Sequence, residues 1–120
     1  MSSKNDFVEQ MRQRTNLFAV RSIHLFQTLP KTEEARILGK QFLRSATSVG
    51  ANYRAVCRAR SKAEFFSKLS ITIEEADETQ FWVELFIESQ LIPEQNVSAL
   101  YKEATEIVAI LTKARSSAQS

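Results

Sequence analysis

Only two glycines, Gly39 and Gly50, and two prolines, Pro30 and Pro93, punctuate this chain of 120 residues. A sheet of many strands needs far more turn chemistry than that, whereas long helices need almost none. The expected fold class is therefore all-α. A chain of this length builds one hydrophobic core and is too short for two ordinary domains, so residues 1–120 read as a single domain.

Hydrophobic periodicity divides the chain into four helices, at about 4–29, 32–59, 62–91 and 93–115. In the first, Phe7, Met11, Phe18, Leu25 and Leu29 share an arc of roughly 40° at about 100° per residue, with Val8 and Phe26 beside them. Pro30 ends that helix, since a proline disfavours helical geometry in the residue before it and has no amide to donate. Thr32 is a candidate N-cap for the second helix, with Glu33 and Glu34 at the positive end of its dipole. The apolar face of the second helix is Leu38, Phe42, Ala46, Val49, Tyr53, Val56 and Cys57. Ser61-Lys62-Ala63-Glu64 has the form of a capping box and opens the third helix, whose core face is Phe65, Leu69, Ile73, Ala76, Val83 and Ile87. Pro93 suits the first turn of the fourth helix, whose stripe is Val97, Leu100, Tyr101, Ala104, Ile107, Val108 and Leu111. The tail from Ser116 is expected to fray. Short links between long helices favour antiparallel neighbours, hence an up-down-up-down four-helix bundle.

Several function classes drop out. Cys57 is the only cysteine and His24 the only histidine, so an internal disulfide, a cysteine-rich zinc site and a two-histidine metal site all lack their residues within one chain. His24 reads as partly exposed packing and Cys57 as core. Glu74, Glu75, Asp77 and Glu78 lack the Glu-x-x-His spacing of di-iron bundles and read as a solvated or salt-bridged face. There is no Gly-rich phosphate loop, and both glycines fall inside the second helix as points of close helix approach. No catalytic residue, cofactor or metal is expected. Without an apolar run long enough for a signal peptide or a membrane span, the expected location is the cytoplasm, with no membrane partner.

Charge is strongly polarised. Between Arg36 and Lys62 lie seven basic residues and no acidic one, although the whole chain carries only +2. From Ala63 to Ile110, ten carboxylates face two lysines. Arg36, Lys40, Arg44, Arg54 and Arg58 fall within about 80° of one another, on a ridge roughly 33 Å long opposite the core face. Such a ridge is either an anion surface suited to a nucleic-acid backbone or a solvated face neutralised by the third helix. On the third helix, Ile71, Phe81, Trp82 and Leu85 project beyond the core stripe, interleaved with Glu78. They are the expected interface of a homo-oligomer, unless a wide bundle helix simply buries more than one stripe. Leu17, Val20 and Ile23 on the first helix are candidates for the opposing half of a head-to-tail contact.

The strings Phe42-Leu43-Arg44-Ser45-Ala46-Thr47-Ser48-Val49-Gly50-Ala51-Asn52-Tyr53-Arg54-Ala55, Ala59-Arg60-Ser61-Lys62-Ala63-Glu64-Phe65, Glu74-Glu75-Ala76-Asp77-Glu78-Thr79 and Phe81-Trp82-Val83-Glu84-Leu85 carry a resemblance over nearly the whole chain. The chain resembles the small four-helix-bundle proteins named for intervening sequences in bacterial ribosomal RNA genes. That resemblance implies a left-handed antiparallel bundle, assembly into a homopentameric ring, and no enzyme activity. The family is in turn similar to the accessory pentamers of diversity-generating retroelements, whose basic surfaces engage nucleic acid and a reverse transcriptase. Ser48, Asn52, Arg54, Arg58, Arg60 and Ser61 match the family string at the end of the second helix, and Glu75, Asp77, Glu78 and Trp82 match the third. Glu75 or Glu78 is expected to pair with arginines of the second helix, in the same or a neighbouring subunit. Two functions follow as expectations: an oligomer that grips RNA or DNA through the basic ridge, or an adaptor oligomer that binds a protein partner and has no nucleic-acid role.

Overall fold

In a computed structural model that describes residues 3–119, the chain forms four long helices and, among the described residues, no strand. They are α1 (Ser3–Gln27), α2 (Glu33–Cys57), α3 (Lys62–Glu88) and α4 (Ser98–Gln119), with a 3-10 turn, Glu94–Asn96, ahead of the last.

Each junction has a local chemical cause. Thr32 caps α2 by accepting from the Ala35 amide at 3.3 Å. Ser61 caps α3 by accepting from the Glu64 amide at 3.0 Å, while the Glu64 carboxylate accepts from the Arg60 amide at 3.2 Å, one residue further back than a capping box requires. α1 stops at Gln27, two residues short of the expected end, because the Thr28 and Leu29 amides turn to the carbonyls of Leu25 and Phe26. α3 stops at Glu88 rather than at residue 91. Gln90 adopts a left-handed backbone (φ 61°), the Leu91 amide reaches the Phe86 carbonyl at 3.0 Å, and the Gln90 amide reaches Ile87 at 3.1 Å. That crossed pair of bonds is the Schellman end, with Gln90 where glycine is usual. Pro93 stays extended (ψ 142°) and starts only the 3-10 turn, so α4 begins at Ser98 and not at Pro93. Nor does α4 fray at Ser116. It runs on to Gln119, and Ala114 and Ala118 line a groove at the end of the bundle with Phe7, Val8, Phe65 and Phe66.

The four helices form a cylinder of 46 × 22 × 21 Å, and contacts between neighbours run in opposite chain order. Between α3 and α4, Glu84 meets Tyr101, Gln80 meets Thr105 and Ser70 meets Arg115. Between α2 and α3, Phe42 meets Phe86 and Ser45 meets Thr79. Gly39 of α2 lies against Phe26 of α1 and against Leu29 in the turn after it, and Gly50 against Thr15 and Ala19 of α1. The bundle is thus antiparallel all round, with α1 and α4 touching more sparingly than the other neighbours.

Both glycines set the α1–α2 distance. A Cβ on Gly39 would stand 2.7 Å from the Leu29 side chain, and one on Gly50 would stand 3.3 Å from the Thr15 carbonyl oxygen. The core between the helices is fully enclosed Phe18, Phe42, Val49, Phe86, Val97, Ile107 and Leu111, with Tyr53 and Leu69 nearly so. Thr15, Ser22, Ser45, Thr72 and Thr79 are also buried; the first four hydroxyls donate to a carbonyl in their own helix and Thr79 donates across to Ser45 Oγ, so these positions add no unpaired polar group.

Candidate nucleic-acid interface

The four basic residues of α2 and its C-cap Arg58 are all exposed, yet they do not form one continuous strip. Arg44 leans towards α3, where its guanidinium bonds Glu75 Oε2 at 3.1 Å and Glu75 Oε1 at 3.3 Å and also donates to Glu78 Oε2. Its charge is answered within the chain, which realises the expected pairing and interrupts the ridge near its middle. Among the described residues, no carboxylate comes within ion-pairing distance of Arg36, Lys40, Arg54 or Arg58. The remaining cations therefore fall into two groups on the flank of α2 nearer α1.

Arg36 and Lys40 border a shallow cavity of about 610 Å³ at the α1–α2 corner, with Phe26, Pro30, Lys31 and Glu33. Arg54 and Arg58, one helical turn apart, border a second cavity of about 480 Å³ with Arg12 and Asn16 of α1, Gly50 and Cys57. Arg12 already holds Glu9, Nη2 to Oε1 at 2.6 Å, in a solvent-exposed pair. Sequence reasoning named Arg54 and Arg58 but missed Arg12 and Asn16. The signal that pointed to them was Gly50. A glycine inside a helix marks where a neighbouring helix comes close, and antiparallel register then sets Asn16 beside Gly50 and Arg12 about one turn on, beside Arg54.

Cys57 is exposed rather than part of the core. It lies at the last residue of α2, where the apolar stripe leaves the interior, next to Val56 that stays buried. Partial desolvation pushes its thiol pKa up, and the opposing pull of Arg12 and Arg58 does not cancel that rise.

The surplus hydrophobes of α3 are less exposed than their spacing implied. Ile71, Trp82 and Leu85 are half-buried, and of those four only Phe81 is exposed, at 49%. The reason is the position of α3 between α2 and α4, which makes its buried arc wider than one stripe. Trp82 packs edge-on against Phe81 with ring centres 5.0 Å apart, and its indole N–H donates to Glu78 Oε2 at 3.0 Å. Glu78 thus joins Trp82 to Arg44. Leu17, Val20 and Ile23 are exposed on α1, as is Ile37 on α2; Phe7, expected on the core stripe of the first helix, is exposed as well, because it lies near the end of the bundle where the neighbouring helices cover it only in part.

The Trp82 hydrogen bond holds the Glu78 carboxyl below the usual carboxylate range; burial pushes the other way, and the contributions of Arg44 help to outweigh it. A carboxylate with a depressed folded-state pKa stabilises the fold above the unfolded value of about 4.3, and that contribution disappears as pH falls through the folded value. In thermal melts, Glu78→Gln is therefore expected to lower Tm near neutral pH, with the gap to the parent protein closing below about pH 4. A gap of constant size across that range would show that Glu78 is not coupled to its partners through its charge.

Elsewhere, Arg14 joins α1 to α4 through Glu103 Oε1 at 2.7 Å and Glu106 Oε1 at 3.1 Å. Among the described residues, no three His, Cys, Asp or Glu side chains gather as a group able to hold a metal ion. No described helix is long and apolar enough to cross a membrane.

Comparison with known proteins bears on both the fold and the resemblance. The family model described as 23S rRNA-intervening sequence protein matches residues 9–113. A crystal structure of a protein of unknown function from the S23 ribosomal protein family of Bacteroides thetaiotaomicron is similar in sequence and shape. It is 34% identical, with a TM-score of 0.85, and the match covers 91% of this chain and 97% of that one. None of the curated proteins matches. With a family match over most of its length and a bundle that superposes on a relative from end to end, this chain belongs to the 23S rRNA-intervening sequence protein family.

Proposed function

We propose that this protein is a non-enzymatic, cytoplasmic, oligomeric binder of nucleic-acid backbone, acting through the cationic flank of α2. The observation that carries this reading is the set of four exposed cations, Arg36, Lys40, Arg54 and Arg58, that no carboxylate among the described residues answers. Arginines spaced along a helix displace condensed counterions and form paired bonds to phosphate oxygens. Such contacts position a nucleic acid more than they read its sequence. The family's name, which refers to an intervening sequence in ribosomal RNA, fits this chemistry. Arg44 is left out of the contact set because Glu75 and Glu78 already occupy it.

Titration of labelled RNA and DNA oligonucleotides at several salt concentrations tests the reading. Log affinity is expected to fall with log salt at a slope of about −0.7 per phosphate contact for single strands and about −0.9 for duplex DNA. Converting Arg36, Lys40, Arg54 and Arg58 together to glutamine should weaken binding and flatten that slope, with little change in sequence preference. Absence of binding by the parent protein at low salt would overturn the reading and favour the protein-adaptor alternative.

Self-association enlarges the field of each cationic flank by repeating it. The exposed apolar side chains Phe81, Ile37, Leu17, Val20 and Ile23 support a homo-oligomer, with a pentameric ring as the proposed form. Phe81→Glu is a cleaner probe than a change at Trp82, which is half-buried and holds Glu78. Light scattering is expected to give an oligomeric mass for the parent protein and a smaller one for Phe81→Glu. A monomeric parent at micromolar concentration would refute association.

A further inference from the structure

The two cationic groups on the α1–α2 side are not equivalent. The cavity beside Arg36 and Lys40 is also lined by Lys31, by the Glu33 carboxylate and by Leu29, Pro30 and Phe26, so part of its positive charge is offset and much of its wall is apolar. The cavity beside Arg54 and Arg58 has no acidic lining residue. Its three guanidiniums come from two sides: Arg54 from the last turn of α2 and Arg58 from the C-cap just beyond it, and Arg12 from α1 across the groove. Asn16 adds a side-chain amide. Gly50 contributes no side chain, so the α1 backbone at Thr15 comes close and the space between the helices remains a hollow.

This geometry points to the α1–α2 hollow as the seat of a phosphodiester group of the bound nucleic acid, held by Arg12, Arg54 and Arg58 with Asn16 as a further donor. The assignment rests on the backbone-binding reading and narrows it to one place. A concave site lined with one sign of charge focuses the field on its ligand, whereas cations on a convex ridge are screened independently by salt. Guanidiniums also offer paired N–H donors that match phosphate oxygens, and three of them arriving from two sides approach one group from different directions. Glu9 stands at the edge of the site, where its carboxylate accepts from Arg12 Nε and Nη2 in a half-exposed pair, so Arg54 and Arg58 carry the site and Arg12 adds only the N–H donors that Glu9 leaves over.

Cys57 supplies a built-in reporter, being the only cysteine of the chain, exposed, and part of the lining of this cavity. The experiment compares two double variants of the full-length protein, Arg54→Gln/Arg58→Gln and Arg36→Gln/Lys40→Gln, for binding of a labelled single-stranded RNA oligonucleotide. Iodoacetamide alkylation of Cys57 in the parent protein is followed in parallel, with and without saturating RNA. The Arg54/Arg58 variant is expected to lose roughly tenfold in affinity for each arginine removed. The Arg36/Lys40 variant should lose less, and RNA should slow alkylation of Cys57. Equal losses in the two variants, or an affinity unchanged in the Arg54/Arg58 variant while the Arg36/Lys40 variant weakens, would overturn the pocket and leave backbone binding in place. Failure of the parent protein to bind RNA would overturn both. If the Arg54/Arg58 variant unfolds, alkylation of the parent decides the matter: an unchanged rate under saturating RNA rejects the pocket.

Discussion

Replacing Phe42 with alanine is expected to lower stability by about 3–5 kcal/mol, a large share of the roughly 5–15 kcal/mol that holds a domain of this kind together. Phe42 is fully enclosed, and its ring meets Phe86 edge-on with centres 5.4 Å apart at 63°. The cost has two parts: the lost transfer of the ring out of water, and the cavity that α2 and α3 cannot close while Ser45 and Thr79 remain bonded across them at 2.9 Å. At roughly 4 °C per kcal/mol for a chain of this size, Tm should fall by about 10–20 °C. A double-mutant cycle with Phe86→Ala should return a coupling of about 0.5–1.5 kcal/mol for the ring pair. By contrast, alanine at exposed Phe81, whose ring contact is the edge-on one with Trp82, should lower monomer stability by only about 0.5–1.5 kcal/mol. A loss at Phe42 below about 1 kcal/mol would mean that the α2–α3 seam is not packed as described.

Gly50→Val should act on stability and on binding together. Leaving glycine improves helix propensity by a few tenths to about 1 kcal/mol, which at a solvent-facing position would stabilise α2. Here the new Cβ would stand 3.3 Å from the Thr15 carbonyl oxygen and 3.7 Å from Ala19 Cβ, and the groups beyond it have little room between the helices. The partner at closest range is backbone, which yields only if α1 moves as a unit. Overpacking of this kind costs about 1–3 kcal/mol and outweighs the propensity gain. Pushing α1 away also separates Arg12 and Asn16 from Arg54 and Arg58, so RNA affinity should fall although no charge is removed. Urea unfolding and RNA titration of one preparation check both effects. A variant as stable as the parent, with unchanged affinity, would show that Gly50 neither sets the helix spacing nor shapes the hollow.

Reading the chain alone placed the four helices, because a 3.6-residue apolar period and the caps Thr32 and Ser61 are local signals. Ends decided by backbone conformation were harder to see. Gln90 in the left-handed region stops α3 early, and nothing in a glutamine announces that. The apolar stripe of α2 carried on to Cys57 in the sequence, but periodicity cannot tell where a helix runs past the edge of its neighbours. Spacing likewise grouped Arg44 with the other cations of α2, because a helical wheel records the direction of the Cα–Cβ bond and not the reach of a long side chain. Arg44 spends that reach on Glu75 and Glu78.

What the sequence determined by itself was the all-helical architecture, most of the buried face of each helix, with Phe7 and Cys57 as exceptions, and the separation of positive charge on α2 from negative charge on α3 and α4. Those follow from residue type and spacing within about four positions. Only the tertiary structure decided which cations remain unanswered, that Trp82 and Leu85 are half-buried rather than projecting, and that Arg12 and Asn16 share a hollow with Arg54 and Arg58. Each of these depends on which turn of one helix lies beside which turn of the next. That register is set by Gly39 and Gly50 against α1, by Phe42 and Ser45 against α3, and by Tyr101 and Thr105 against α3, contacts between residues tens of positions apart that no local pattern contains.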